Sequence, residues 1–403
     1  MKRKNLYSII KEGFSDILVV WMNELNILIK DQGIIIFFIL VPLAYPILYT
    51  YIYNKEVIRE VPIAAVDNNG TSLSRKFLKL LDASPDAHIA TYSTDIEEAK
   101  VSMMKGEVYG IVYIPKEFSK RIAKGQQANV SIFCDMSGML YYKALLTSAT
   151  NSSLTMNKEI KISKMENSTD YEDKIATSPI AYEDIALFNT QGGFASFLLP
   201  AVLILIIQQT LLLGIGLAAG TVREKNNSRD VIPIDPHYHG TLSIVFGKAL
   251  LYFMVYAIMS TYILVIVPKL FSLPQLADPM TLGMFILPYL LSSIFFAMTC
   301  SIFIRHRETC MIVYIFTSVP ILFLSGISWP ETAIPDFWKI ISYIFPSTFG
   351  INGFVQINNM GASLQDVGIG YHALWIQCGV YLITTCLVYR YQILMSRQHL
   401  RIK

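Results

Sequence analysis

Charged residues are scarce in this sequence. Asp, Glu, Lys and Arg make up 16% of its 403 residues, whereas 53% are hydrophobic, and the formal net charge is +3. A chain this apolar cannot cover an ordinary water-facing surface, which excludes a typical soluble protein and favours an integral membrane protein. Nothing in the charge pattern forms a long acidic or basic tail, so no nucleic-acid partner is predicted.

Cysteine is also rare. The five cysteines are Cys134, Cys300, Cys310, Cys378 and Cys386. Four of them lie inside long apolar runs, so no intrachain disulfide framework is expected. The first apolar run begins at Gly33 and is followed by no small-residue cleavage site, so we expect it to remain in the mature protein.

Residues that would carry chemistry are missing as well. The single Gly-Lys pair, Gly247-Lys248, lacks both the upstream glycine and the following hydroxyl of a phosphate-binding loop. His237 and His239, with Asp235 beside them, fall short of a closed zinc site. No paired carboxylates or nucleophile–base pair stands out. We therefore expect no enzymatic activity, metal or cofactor on this chain.

Long apolar segments are what the sequence does contain. An α-helix needs about 20 apolar residues to cross a bilayer. Six segments come close to that length: Gly33–Tyr53, Phe194–Ala219, Ser243–Val267, Leu282–Ile304, Thr309–Ile327 and Tyr371–Tyr389. The predicted fold class is a membrane α-helical bundle of six transmembrane helices, with an extracytoplasmic α/β (α+β) domain inserted between the first and second spans.

The distribution of lysine and arginine predicts the orientation of these spans. Cytoplasmic loops are enriched in basic residues, whereas long translocated domains escape this rule. Among the short connections on the opposite side, only Lys269 and Lys339 are basic. The basic residues on the presumed inner side are Lys2, Arg3, Lys4, Lys11, Lys30, Arg223, Lys225, Arg229, Arg305, Arg307, Arg390, Arg397, Arg401 and Lys403. Both termini are therefore predicted in the cytoplasm and residues 54–193 outside.

The predicted domains follow from these boundaries. Residues 1–32 form a cytoplasmic amphipathic helix, because apolar residues from Ile10 to Leu28 recur at helical spacing. Such a helix lies in the membrane interface or, alternatively, packs on a soluble partner. Residues 33–53 are the first span, 194–389 a five-span bundle with a re-entrant segment at 329–370, and 390–403 a cytoplasmic tail.

Residues 54–193 alternate strand and helix signals. The β-branched run Val61–Val66 ends in a turn at Asp67–Gly70 and is followed by a capped helix. Further strands are predicted at His88–Tyr92, Val108–Ile114 and Val130–Cys134, with helices between them. A long polar helix from Ser137 to Met165, with a break near Asn151, leads back toward the membrane.

Several motifs, in this order and spacing, resemble one transporter family. The outer domain begins Val61-Pro-Ile-Ala-Ala-Val-Asp67; Arg223-Glu224-Lys225 follows the second span; Ser325-Gly326 ends the fifth; Pro335-Asp-Phe-Trp338 and Phe345-Pro346 precede the last. Over essentially the whole chain this pattern resembles the type-2 ABC transporter permeases with a large extracytoplasmic domain. These are membrane subunits of bacterial ABC exporters of the drug, lipid or polysaccharide type.

The resemblance implies a set of partners. It implies a homodimer, or a heterodimer with a sister permease, coupled to a separate cytoplasmic ABC ATPase subunit that binds ATP and Mg. It also implies a multi-pass protein of the inner membrane with a periplasmic domain, surrounded by lipid and open to a periplasmic adaptor. The absence of a phosphate loop agrees with ATP hydrolysis on a partner chain.

Charged residues at the presumed cytoplasmic end are the candidates for coupling to the ATPase. They are Arg223, Glu224, Lys225, Arg229, Arg305 and Arg307. Charges at the end of a span can pair with a partner's groove and fix its register. The simpler interpretation, positive-inside topology, explains the basic residues but leaves Glu224 unexplained.

Polar residues within the spans are the candidates for the translocation path. Gln208, Gln209 and Gln377 each place an amide where hydrocarbon is expected, so each needs a partner, most simply another helix. Ser325 and Gly326 mark where the fifth span ends and the chain re-enters the membrane. Lys248, near the start of the third span, is expected to snorkel to the interface.

Two function classes remain open at this stage. The favoured function is a permease of an ATP-driven exporter, and the alternative is a membrane-anchored sensor or binding protein whose outer domain receives a ligand or partner. Amphipathic small molecules, lipids, peptides and polysaccharides all remain candidate cargo. The aromatic and methionine-rich spans slightly favour hydrophobic or amphipathic molecules.

Overall fold

The chain divides into two compact units in a computed structural model. The structure describes residues 6–165, 169–180, 185–190, 192–225 and 240–402, with the side chains of residues 6–12 and 396–402 left out of the description. One unit, here called the helical unit, comprises the chain up to Glu56 and from Ala186 onward. The other, the inserted unit, is Val57–Ile185.

Among the described residues, six helices of the helical unit are long and apolar enough to cross a membrane, which confirms the six predicted spans. They are span 1 (Gln32–Tyr53), span 2 (Phe194–Lys225), span 3 (Thr241–Leu270), span 4 (Pro279–Phe303), span 5 (Arg307–Leu324) and span 6 (Gly368–Met395). The helix that contains span 6 continues to Ile402. An N-terminal helix, Leu6–Lys30, precedes span 1.

Span 2 is the centre of the helical unit. In its most apolar stretch 89% of the residues are buried, against 17% in the corresponding stretches of spans 5 and 6. Small residues allow its neighbours to approach closely. A Cβ at Gly214 would overlap the Phe38 ring of span 1, and one at Gly216 would lie 2.5 Å from Cys310 of span 5.

Two spans contain a short π-helical turn. It covers Ile36–Leu40 in span 1 and Tyr262–Ile266 in span 3. The turns bring aromatic residues together: Phe38 packs on Tyr256 with a centroid distance of 4.7 Å. The Tyr262 hydroxyl donates to the Leu43 carbonyl over 3.0 Å. Each such turn displaces the helix register by one residue, which redirects the side chains that follow.

A sharply bent pair of helices precedes span 6. Asp336–Ser342 and Pro346–Met360 meet at 89° within the predicted re-entrant segment. Pro346 stands at the first position of the second helix, where its missing N–H costs no hydrogen bond. Gly361 ends that helix in the left-handed conformation, with φ of 68°.

The inserted unit is built on a four-stranded sheet with strand order β2-β1-β3-β4. The strands are β1 (Val61–Asp67), β2 (Ala87–Tyr92), β3 (Gly110–Ile114) and β4 (Ser131–Cys134). β1 pairs in parallel with β2 and β3, and β4 is antiparallel to β3. The helices are Ser72–Asp82, Ile96–Met104, Phe118–Ala123, Met139–Ser163 and Asp170–Thr177.

The predicted break near Asn151 is wrong. The helix Met139–Ser163 runs without interruption through that position. One stripe of its side chains, including Leu145, Ala149 and Met156, is buried against the sheet, and this stripe continues past Asn151. Burial of a continuous face outweighs the weak helix propensity of the Asn151-Ser152-Ser153 stretch.

Candidate functional site

Asp31 joins three spans at the end of the bundle where the candidate coupling residues lie. Its Oδ1 caps span 1 by accepting from the Gly33 N–H over 3.0 Å. The same oxygen lies 2.6 Å from Nη2 of Arg307, the first residue of span 5. Its Oδ2 accepts from the Thr221 hydroxyl of span 2 over 2.8 Å.

The electrostatic setting of Asp31 favours the charged form. Burial would by itself raise the pKa of this carboxyl. The Thr221 hydrogen bond and the Arg307 guanidinium outweigh burial and hold the pKa below its ordinary value of 3.8. Asp31 is therefore a carboxylate at neutral pH and forms a charged junction between spans 1, 2 and 5.

Arg223 binds the backbone of the segment that connects spans 4 and 5. Its side chain is buried, at 6% exposed. Its guanidinium donates to the backbone carbonyl of Ile304 and, over 3.0 Å, to that of Ile302. These carbonyls follow the last α-helical turn of span 4 and have no helical partner there, so Arg223 satisfies them. The structure thus places Arg223 inside the bundle end and not on its outer surface.

Glu224 and Arg307 meet at the start of span 5. A Glu224 carboxylate oxygen accepts from the Arg307 backbone N–H over 3.1 Å. This hydrogen bond satisfies one of the free N–H groups at a helix start, where negative charge is also favoured by the helix dipole. Gly220 makes the approach possible, because a Cβ there would already lie 3.3 Å from the Arg307 backbone.

Three of the candidate coupling residues remain on the surface around this network. Glu224, Lys225 and Arg305 are exposed, while Arg307 is half-buried. We call the exposed side chains of Glu224, Lys225 and Arg305 the charged rim. Arg229 was also predicted to contribute, but it lies outside the residues that the structure describes. Of the three side chains of the charged rim, Glu224 contacts the network directly, through the Arg307 backbone N–H.

A buried ion pair attaches the N-terminal helix to span 3. Glu24 is 1% exposed, and its Oε2 lies 2.6 Å from Nζ of Lys248. The Tyr252 hydroxyl donates to the other carboxylate oxygen. The prediction that Lys248 snorkels is wrong, because this side chain is 4% exposed and meets a carboxylate inside the protein.

The sequence did carry a signal for Glu24. It lies four residues from both Val20 and Leu28, which are buried on the same face of the N-terminal helix. A carboxylate between two apolar residues at this spacing indicates a buried partner. Phe14 and Leu18, by contrast, remain more than half exposed on another face of the helix.

Two of the three glutamines stabilise the bent helix pair. Gln208 of span 2 accepts from the Ser347 N–H over 2.6 Å, at the start of the second helix. Gln377 of span 6 donates to the Tyr343 carbonyl over 2.7 Å, at the end of the first. Tyr381, which sequence inspection did not single out, donates to the Ile344 carbonyl. These side chains supply hydrogen bonds that the break removes from the backbone.

Gln209 differs from its neighbour. It is 7% exposed, and neither its amide nitrogen nor its amide oxygen has a hydrogen-bond partner among the described residues. It precedes Gly216 by seven residues, so it lies on the face of span 2 that packs against span 5. A buried amide without partners carries a desolvation cost that a structural role does not explain.

Ser325 and Gly326 lie where span 5 ends. The Ser325 hydroxyl donates back to the Leu322 carbonyl over 2.6 Å. Gly326 has φ of 86°, a conformation that side chains disfavour, and it starts the turn toward Glu331. Within the described residues these two positions shape the end of the helix and do not meet the glutamines.

The described part of the chain contains no group of three or more His, Cys, Asp or Glu side chains placed to hold a metal ion. His237 and His239 lie outside the described residues. At this end of the bundle the described side chains form charge pairs and helix caps.

Comparison with known protein families identifies the chain. The family model described as ABC-2 family transporter protein matches residues 33–387. A search of curated proteins and a search of solved structures each found no match. The match begins at span 1, includes the inserted unit and ends within span 6, so it extends over most of the chain. The chain is therefore a multi-pass membrane protein that belongs to the ABC-2 family of transporter proteins.

Proposed function

We propose that this chain is the permease subunit of an ATP-driven exporter, coupled through the charged rim to a separate cytoplasmic ABC ATPase subunit. Support comes from one observation: the exposed Glu224 accepts from the Arg307 backbone N–H, and the Arg307 side chain pairs with Asp31. The exposed Lys225 follows Glu224 in the chain, and the exposed Arg305 follows Ile304, whose carbonyl binds Arg223. Side chains on a rigid base can transmit a partner's movement to several spans. ATP and Mg would bind on the partner chain.

Charge reversal at the rim tests this coupling. Lys225→Glu and Arg305→Glu alter exposed side chains without removing any hydrogen bond described above. Lys269→Glu, also exposed but at the opposite end of the spans, is the matched control. Each variant is purified from membranes together with the ABC ATPase that accompanies the wild-type chain, and ATP hydrolysis is measured in liposomes.

We expect the rim variants to reach the membrane normally but to lower ATPase recovery and hydrolysis about tenfold, the effect of losing one well-placed interfacial charge. The control should match the wild type. Wild-type coupling in both rim variants, or an equal loss in the control, would count against the proposal.

The proposed orientation places the charged rim in the cytoplasm and the inserted unit outside, with both chain termini inside. The concentration of basic residues near the rim supports it. Met136, which is 61% exposed in the inserted unit, offers a position for labelling. Met136→Cys in intact cells should react with a membrane-impermeant maleimide, with the wild type as background. Labelling only after the membrane is opened would reverse the orientation.

We also propose that two copies form the translocation path. Span 5 supports this, because Ile312, Phe316 and Val319 are all more than half exposed although the opposite face packs on span 2. Lipid or a second copy can cover such a face. Phe316→Cys should form a disulfide-linked dimer under mild oxidation in membranes, whereas Phe303→Cys, equally exposed at the end of span 4, should not. Equal cross-linking at both positions would argue for random collision.

A further inference from the structure

The inserted unit contains an open cavity that the transporter role does not require. It lies between the helix Phe118–Ala123, the edge strand β4 and the helix Met139–Ser163, and its volume is about 580 Å³. Pockets for small molecules in proteins measure roughly 300–1,000 Å³. The cavity is therefore large enough for an organic ligand, and all of its lining belongs to the inserted unit.

The floor of the cavity is apolar. Phe77, Phe118, Ala149 and Met156 line it, and each is at most 4% exposed. Such side chains bordering an open space lack partner atoms on one side and forfeit dispersion contacts. Water there would find few hydrogen-bonding groups, whereas a hydrocarbon chain would restore the missing contacts.

The mouth of the cavity is polar and carries positive charge. Gln126, Gln127, Asn157 and Lys164 are among its lining residues, and no carboxylate lines the cavity within the described part of the chain. The Lys164 ammonium lies 3.5 Å from the Ile122 carbonyl on the facing helix, at the edge of hydrogen-bonding distance.

Two acidic side chains at the helices that border the cavity already have basic partners. Glu159 lies 2.7 Å from Lys76, and Glu117 lies 3.6 Å from Arg121. The ammonium of Lys164 is thus placed to meet an anion at the mouth of the cavity, with amide groups beside it as further donors.

From this combination we propose that the cavity binds a single-chain anionic amphiphile, such as a fatty acid or a lysophospholipid. The hydrocarbon chain lies on the floor formed by Phe77, Phe118 and Met156, and the anionic head group meets Lys164 at the mouth of the cavity. The assignment follows from the basic group at the polar mouth of the cavity and the apolar side chains of its floor. It does not depend on ATP coupling or on which side of the membrane this unit faces.

Photolabelling of the full-length chain in lipid nanodiscs tests the proposal. The probe is palmitic acid with a photoreactive diazirine on its chain, and the neutral comparison is the matching diazirine alcohol. Ser153→Trp fills the mouth of the cavity from an exposed position, and Lys164→Glu reverses the charge at the same mouth. Lys158→Glu makes the same reversal on the same helix at an exposed position outside the cavity lining. Unfolding temperatures close to that of the wild type confirm that each variant is folded.

We expect saturable labelling of the peptides around Phe118 and Met156 in the wild type. Ser153→Trp should remove it, and Lys164→Glu should weaken labelling by the acid about tenfold, the effect of losing a charge-assisted hydrogen bond. Lys158→Glu should match the wild type, and the alcohol should respond to Ser153→Trp but not to Lys164→Glu. Competition by unlabelled palmitate or by lysophosphatidylglycerol then shows whether the fatty acid or the lysophospholipid binds more tightly.

Several results would overturn the proposal. One is labelling confined to the spans, and another is cavity labelling that persists in Ser153→Trp. A third is an equal response of acid and alcohol to Lys164→Glu, which would remove the role of charge. Displacement of the probe by a peptide but by neither amphiphile would assign the cavity to a protein segment.

Discussion

Four charged residues are buried among the described residues of the helical unit, and each contacts a partner that is distant in sequence. Glu24 meets Lys248, Asp31 meets Arg307, and Arg223 binds the carbonyl of Ile304. Buried charges of this kind add little net stability, because desolvation offsets attraction, but each is costly to leave without its partner. They therefore specify which spans pack together more than how firmly they do so.

Removing one member of the Glu24–Lys248 pair should be far more damaging than removing both. We expect Glu24→Leu to destabilise the chain by about 3–5 kcal/mol, because a buried ammonium loses its carboxylate. Glu24→Leu combined with Lys248→Met should recover most of that loss, as hydrophobic replacements of buried ion pairs often do. Thermal unfolding of the single and double variants in nanodiscs measures the coupling. Additive losses would show that the two side chains act independently.

The Asp31 junction predicts a pH dependence of stability. The folded-state pKa of Asp31 lies below its ordinary value of 3.8. A depressed carboxyl pKa contributes stability above the unfolded-state value, and that contribution is lost as the pH falls through the folded-state pKa. Asp31→Asn retains a good helix cap but not the charge. The wild type should thus unfold at a higher temperature than Asp31→Asn at neutral pH, and the difference should shrink below pH 3.8. A difference independent of pH would exclude the ionic contribution.

Sequence analysis located the charged residues at this bundle end but not their partners. The motif Arg223-Glu224-Lys225 stands out because three charges follow an apolar span. The positive-inside rule describes where such charges lie and says nothing about contacts with residues such as Ile304, which is 81 positions from Arg223. The interpretation of Lys248 failed for the same reason, since its partner Glu24 is 224 positions away.

Hydrogen bonds to the backbone decide the geometry of the bent helix pair at the scale of elements. Gln208 and Gln377 come from different spans and bind opposite sides of the break between Ser342 and Pro346. The sequence predicted a re-entrant segment at 329–370 but no break at a particular residue. The break falls before Pro346 because proline cannot continue a helical hydrogen-bond ladder. The 89° angle was not predictable, since it depends on where the two glutamines hold the freed backbone groups.

The adjacent residues Gln208 and Gln209 provide a matched comparison. We expect Gln208→Leu to lower stability by about 1–2 kcal/mol, because it leaves the Ser347 N–H without its acceptor. Gln209→Leu should be neutral or stabilising, because it removes a buried amide that has no described partner. Unfolding temperatures and hydrogen exchange of the Ser347 amide measure both effects. A large loss for Gln209→Leu would reveal a partner outside the single chain, such as cargo or a second copy.

The two units of the molecule are predicted from two different sequence patterns. Apolar length was enough to predict six spans, and alternating strand and helix patterns predicted the four strands of the inserted unit and the helices between them. The helix Asp170–Thr177 was not predicted. These patterns could not predict which faces of the spans pack together, because a span of uniform hydropathy has no preferred face. Span 2 is an example: apolar residues lie on all of its faces, and the small residues Gly214, Gly216 and Gly220 are among the few signs of where its neighbours pack closely.

The inserted unit should fold when separated from the spans. Both of its apolar cores, one on each face of the sheet, draw their residues from within Val57–Ile185. A fragment of residues 57–185 is therefore expected to unfold in urea in one cooperative transition followed by circular dichroism. A fragment that ends before Met139 lacks the helix that contributes Leu145, Ala149 and Met156, and it should show no such transition. A gradual loss of signal in the longer fragment would mean that the spans are needed for its stability.

The contact between Asp31 and Arg307 also has a consequence for biosynthesis, because 276 positions separate the two residues. At a translation rate of roughly 5–20 residues per second, Asp31 waits for about 14–55 s before its basic partner leaves the ribosome. During that interval span 1 can be capped by Asp31, but the carboxylate has no counter-charge from span 5. Nascent chains that stall before Arg307 would present an incompletely neutralised junction. Membrane quality-control proteases would encounter such chains in a form that the finished protein never shows.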